Sequence, residues 1–253
     1  MIRGLYTGAS AMLVYARRQD LLANDLANAQ TPGYRTEDAP IRAFPELFIH
    51  EELAATRSPR GMAGTGAYLD RSYLRWEPAP IRYTGRELDL AIEGDGFFAV
   101  QTPAGVRLTR AGNFVVDAQG RLATPDGYVV LGPEGPVQAG TAQGAALAVT
   151  EQGEVLDATT GALLGRIGLV DVPDRQGLVR EGSNLFRPTA ESGPVAAAAG
   201  TIRQGMLEGS ATSVVETMVQ MIAGLRAYQA AQQAVRAEDE MTGSLIAQVG
   251  RVS

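Results

Sequence analysis

The chain has 253 residues, 45% of them hydrophobic, and a net charge of -6. That is enough apolar material for a full core in one or two domains, and it gives no electrostatic attraction to nucleic acid or to an anionic membrane. The absence of cysteine excludes a disulfide frame, a thiolate nucleophile and a sulfur-ligated metal, and the use of arginine as the only basic residue apart from one histidine excludes Schiff-base and phosphate-loop lysines.

The amino-terminal segment, MIRGLYTGASAMLVYARRQD, holds no apolar run long enough for a signal-peptide core or for a membrane span of about 18 residues. If the protein leaves the cytoplasm, the expectation is export without a cleaved signal. Ile2, Leu5, Ala9, Met12, Ala16, Gln19, Ala23 and Leu26 recur at alternating intervals of three and four, which is the seam of a coiled coil with one polar interruption. Leu22 is expected to join this contact face. Pro32 pushes Thr31 out of the helical region and Pro32-Gly33 supplies a turn, so the helix is predicted to end near residues 28–30. Thr31, Pro32, Gly33 and Tyr34 then mark the passage from helix to domain.

Residues 36–82 mix a short apolar helix-like stretch with extended segments and read as an extended connection. From residue 83 to 201 the texture is β: short runs rich in Val, Leu and Phe, with turn signals at EGDG, TPAG, AQG and TPDG every 8–12 residues or so. Gly94, Asp95 and Gly96 read as a hairpin turn, and the Gly/Ala/Pro-rich residues 132–147 as a surface loop. Ser213 followed by Glu216 fits a capping box and predicts a helix start. Val214, Met218, Met221, Leu225, Tyr228, Gln232, Val235, Asp239, Thr242, Ile246 and Val249 then continue the four-three alternation almost to the end of the chain.

At 1.5 Å per residue the two helices would be roughly 40 and 55 Å long, against a diameter under about 40 Å for the middle segment. They are too long to be buried by it, and their stability depends on packing against each other and other chains. The predicted fold is therefore α+β: a terminal helical domain of residues 1–35 and 211–253 whose long helices pair as a coiled coil, a connecting segment over 36–82, and a central all-β domain over 83–210.

Side chains able to carry chemistry are sparse. The aspartates in EGDG and DAQG lack the carboxylate count of a calcium loop. GTGAYLDR follows no clear strand and makes a weak phosphate cradle. His50 is the single histidine, so a multi-histidine metal site is impossible, and no nucleophile-elbow pattern accompanies it. Glu51 and Glu52, and Glu238, Asp239 and Glu240, are carboxylate clusters read as solvated faces. No catalytic residue, cofactor or metal is expected.

LLANDLANAQTPGYR (21–35), DLAIEGDGFFAVQTPAGVRLTRAGNFVVDAQGRLATPDGYVVLG (89–132), QGMLEGSATSVVETMVQMIAGLRAYQAAQQAV (204–235) and EDEM (238–241) together resemble the flagellar basal-body rod and hook axial proteins. The three main blocks lie in the family's order from end to end, and the length is similar to that of the rod proteins rather than the longer hook proteins. GSATSVVE stands where an S-N-V-D-like stretch is usual, and Asp25 where Asn is usual. The resemblance implies that the terminal helices join those of neighbouring subunits around a central channel, with the β domain outside. The implied assembly interface is Ile2, Leu5, Ala9, Met12, Leu22, Leu26, Val214, Met218, Met221, Leu225, Tyr228, Val235 and Ile246. The implied partners are copies of the chain, other rod and hook axial proteins and the flagellar type III export apparatus, with no nucleic acid, no small-molecule substrate and no membrane insertion, at the flagellar basal body in the cell envelope. Competing readings are a hook-type axial protein, an envelope enzyme acting on peptidoglycan through His50, Glu51 and Glu52, and a secreted adhesin.

Overall fold

A computed structural model of the protein describes residues 2–45, 47–51, 58–140, 147–182 and 184–249. The chain divides into two compact units, the first made of Met1–Ala27, Glu37–Leu74 and Ser213–Ser253, the second of Asn28–Thr36 and Arg75–Thr212.

In the first unit, helix α1 spans Ile2–Ala27 and helix α2 spans Val214–Val249. The start of α2 follows from Ser213, whose Oγ accepts the Glu216 N–H at 3.5 Å and whose carbonyl accepts the Thr217 N–H at 2.9 Å. Glu216 does not reach back to complete the box; its carboxylate takes the Gln220 amide one turn on, at 3.3 Å. Between the helices in sequence, Glu37–Asp38 pairs with Tyr73–Leu74, Ile41–Ala43 with Ala67–Leu69, and Leu47–Glu51 with Ser58–Ala63, all antiparallel. These nested ladders are successive stretches of one long hairpin. It is tied to α1 through Ser10, whose Oγ accepts the Ala67 N–H at 3.2 Å while donating to the Thr7 carbonyl at 2.8 Å.

The predicted coiled-coil pairing is not what the two helices form. They run antiparallel: Gly4 lies against Glu238, Gly8 against Val235 and Ala231, and Gly224 against Gln19. A Cβ on Gly8 would stand 2.5 Å from Val235 Cγ2 and 3.6 Å from the Ala231 carbonyl oxygen, so the helices meet backbone to side chain across glycines, at a spacing that larger residues would widen. On α2 the covered strip is Thr217, Met221, Gly224, Tyr228, Ala231, Val235, Glu238 and Thr242, whereas the expected seam residues Val214, Met218, Leu225 and Ile246 are exposed. The seam reading puts all of its large apolar residues on one contact; on α2 the covered strip instead combines small residues with Met221, Tyr228 and Val235, and leaves Val214, Met218, Leu225 and Ile246 outside it.

The second unit is all β. Its largest sheet runs Val115–Val116, Leu122–Ala123, Val129–Gly132, Phe97–Thr102, Gly105–Thr109, Leu185–Arg187, Val179–Glu181, each antiparallel to its neighbour. The strand Phe97–Thr102 is buried on both faces. Phe98 and Val100 enter a core with Leu90, Phe114, Val130, Ile167 and Ile202, and Phe97 packs edge-on against Trp76 and Phe186 on the other face. Residues 141–146, within the loop expected over 132–147, lie outside the described residues.

Several turns of this unit are closed by carboxylates. Asp117 accepts the N–H groups of Gln119 and Arg121 at 2.9 and 2.8 Å, and Asp157 those of Thr159 and Thr160 at 2.7 and 3.2 Å. The Arg121 N–H holds Asp117 below the ordinary aspartate value of 3.8, and the Thr159 N–H does the same for Asp157. A carboxyl depressed in this way stabilises the fold above its unfolded value and ceases to as pH falls through the folded one. Urea midpoints of the second unit are expected to be level between about pH 8 and 5 and to drop below about pH 4. Equal midpoints at pH 3 and pH 7 would contradict this.

Candidate assembly surface

The free side of α2 is apolar. Val215, Met218, Val219, Ile222 and Leu225 are 74%, 48%, 60%, 54% and 50% exposed. At 100° per residue they share an arc of about 120°, centred on the side opposite Thr217, Gly224 and Ala231. Tyr6 and Leu13 are likewise exposed on α1, seven residues apart on one face. Toward the end of α2, Met241, Leu245 and Ile246 are also exposed. Solvated helices of a monomer do not ordinarily carry continuous apolar stripes; such stripes mark candidate interaction surfaces.

Of the expected interface residues, Leu22 is buried, Leu5, Met12, Leu26, Met221, Tyr228 and Val235 are half-buried, and Ala9, Val214, Met218, Leu225 and Ile246 are exposed. The side chain of Ile2 lies outside the described residues. Val215, Val219 and Ile222 were missed because they fall off the four-three seam. Their signal was available as a second apolar repeat, 215, 219, 222, beside the first.

After α1 the chain passes into residues 28–36, which belong to the second unit. The helix stops at Ala27, Thr31 donates its N–H to the Asn28 carbonyl at 3.1 Å, and Gly33 takes a φ of +68°. A Cβ at Gly33 would meet the Arg110 carbonyl carbon at 2.4 Å, so only glycine fits both the backbone and the space. The Pro32 carbonyl accepts the Asn184 side-chain amide at 2.9 Å, and the Tyr34 ring lies under the Arg180 guanidinium, 4.6 Å from its centroid. Gly94, Asp95 and Gly96, expected to close a hairpin, instead turn a corner: Leu90–Glu93 pairs with Thr201–Gln204, and Phe97–Thr102 with Gly105–Thr109. Gly94 and Gly96 have φ of +94° and +127°, and Asp95 binds Arg175 at 2.7 Å.

A surface groove of about 540 Å³ in the second unit is lined mainly by apolar residues, among them Val106, Leu131, Ile167 and Leu169. Glu151 is its one carboxylate, whereas glycoside hydrolysis of the usual kind needs two. Glu52 lies outside the described residues, as do the side chains of His50 and Glu51. Among the described residues no group of three acidic or histidine side chains could hold a metal, and no helix is long and apolar enough to cross a membrane.

Three family models match the chain in order: "Flagella basal body rod protein" over residues 5–35, "Flagellar hook protein FlgE/F/G D1 domain" over 91–157, and "Flagellar basal body rod FlgEFG protein C-terminal" over 203–248. Helix, β body and helix thus correspond to three modules of one class, the flagellar axial proteins. The chain is 31% identical to the flagellar basal-body rod protein FlgG of Bacillus subtilis, covering 97% of this chain and 98% of the relative. It is 31% identical to the rod protein FlgF of Caulobacter vibrioides with both chains fully covered, and 34% identical to FlgG of Borreliella burgdorferi over 96% and 97%. The chain belongs to the flagellar basal-body rod protein family, whose members are structural subunits of the flagellar basal body.

Proposed function

We propose that the chain assembles with copies of itself and with other axial proteins into the tubular rod, transmitting torque toward the hook and surrounding the export channel, and that it performs no catalysis. The observation that carries the reading is the apolar stripe of α2, left free in a chain whose relatives along its whole length are rod proteins. In this reading the helices form the inner layer and the β body the outer one, and the subunit reaches the rod through the flagellar type III export apparatus. Burying five half-exposed apolar side chains against neighbours supplies several kcal/mol per subunit at about 25 cal/mol per Å², repeated along the tube. In isolated basal bodies carrying an epitope-tagged copy of the chain, gold label is expected along the rod, between the motor ring and the hook. Label confined to the hook would favour the hook-type reading, and basal bodies without label in motile, tag-expressing cells would overturn both.

A further inference from the structure

We propose that Glu208 is the lock that holds the segment Asn28–Thr36 as a strap on the β body, and that the lock can open without unfolding that body. The strap follows α1 directly, yet it is part of the second unit. Its one charged side chain besides the flanking residues, Arg35, is 2% exposed and donates to Glu208 Oε1 at 2.5 Å and to the Glu77 carbonyl at 2.9 Å. Glu208, 3% exposed, uses its other oxygen to accept from Arg110 at 3.2 Å. One buried carboxylate therefore joins a guanidinium of the strap to a guanidinium of the body.

Backbone hydrogen bonds also hold the strap to the body. The Gly33 N–H donates to the Glu208 carbonyl at 2.9 Å, the Ala211 N–H to the Tyr34 carbonyl at 3.0 Å, and the Arg75 N–H to the Thr36 carbonyl at 2.9 Å. Arg180 donates to the Arg35 carbonyl from the body side. Removing the carboxylate charge would leave Arg35 and Arg110 as buried cations facing each other. Burial already pushes the Arg110 guanidinium below its ordinary value, and Glu208 is the main opposing influence.

The two cations are not equally free to escape. Arg110 is tethered inside by the Gly94 carbonyl at 2.9 Å and the Phe97 ring at 5.4 Å. Arg35 reaches water if the strap lifts, so the strap is the part that yields. Glu208 thus decides whether residues 28–36 belong to the β body or become a free linker. The inference is independent of the assembly reading, because it is read on the isolated full-length chain.

In this lysine-free chain trypsin cuts only after arginine, and cleavage after Arg35 reports strap release. For Glu208→Gln, cleavage there and hydrogen exchange at the Gly33 and Ala211 amides are expected to rise by about 100-fold, as for an unpaired buried charge relieved by local opening. Exchange at the Val100 and Leu108 amides of the central strands should stay within about threefold of the parent. Arg110→Gln, which leaves the Arg35 pair intact, should release the strap by a smaller factor, about tenfold. It decides the matter by the same readouts if Glu208→Gln does not fold. Glu151→Gln, which breaks an exposed pair with Arg203, should change nothing. Parent-like protection of Arg35, or central-strand exchange rising in proportion to that of the strap, would overturn the proposal.

Discussion

Leu225→Asp is expected to abolish incorporation of the chain into rods while leaving the melting temperature of the purified chain within about 2 °C of the parent. In the free chain Leu225 is 50% exposed on α2, so aspartate there loses little burial and costs only the helix-propensity difference, about 0.5 kcal/mol. In the proposed assembly the same position would be covered by neighbours, and an unpaired charge without water costs several kcal/mol. Repeated at every subunit, that cost exceeds what a tube can absorb. Ala223→Asp is the matched control: it is exposed on the same helix and lies outside the apolar arc, so its effect should be that of a surface charge. The measurements are motility and rod completion in cells carrying each variant, with thermal melts of the purified chains. Normal rods with Leu225→Asp would mean that the stripe is not an assembly surface. A melt lowered by 5 °C or more would mean that Leu225 is part of the chain's own core.

The helix ends were legible because they depend on neighbours in sequence. Ser213 caps the start of α2 and Pro32-Gly33 stops the chain after α1, and both act within three or four residues. Which face of each helix is covered was not legible. Gly4, Gly8 and Gly224 look like weak points of a helix, since glycine costs about 1 kcal/mol relative to alanine there, and only the partner's position shows that they are where the helices touch. The hairpin over 37–74 was missed for another reason. Its strands are two to six residues long, too short for a period of two to stand out, and its register is fixed by nesting across up to 36 residues rather than by pattern. Arg35 and Glu208 stand 173 residues apart in sequence. Their only local signal is a charge set in an otherwise turn-like or apolar motif, PGYR in one case and GMLEGS in the other.

Gly112→Ala is expected to lower the melting temperature of the second unit by about 10 °C, a loss of about 3 kcal/mol. Gly112 faces the first residue of the strand Leu90–Glu93, with its carbonyl accepting the Leu90 N–H at 2.9 Å. A Cβ on it would stand 1.7 Å from the Leu90 carbonyl oxygen and 2.8 Å from the carbonyl carbon. No rotamer relieves this, because both atoms belong to backbone. The strand would have to retreat by more than about 1 Å to restore an ordinary contact. That retreat pulls Leu90 and Ile92 out of the core they share with Phe98, Phe114 and Ile202 and strains the ladder to Thr201–Gln204. Interiors packed to crystal density do not take up such a shift locally. Gly182→Ala, with nothing within 4 Å of its Cβ position, is the control and should stay within about 0.5 kcal/mol of the parent. The two variants share the same loss of backbone entropy in the unfolded chain, so the difference between their melts isolates the contact with Leu90. Equal melting temperatures for the two would mean that the close approach of Gly112 to the strand is not a feature of the folded chain in solution.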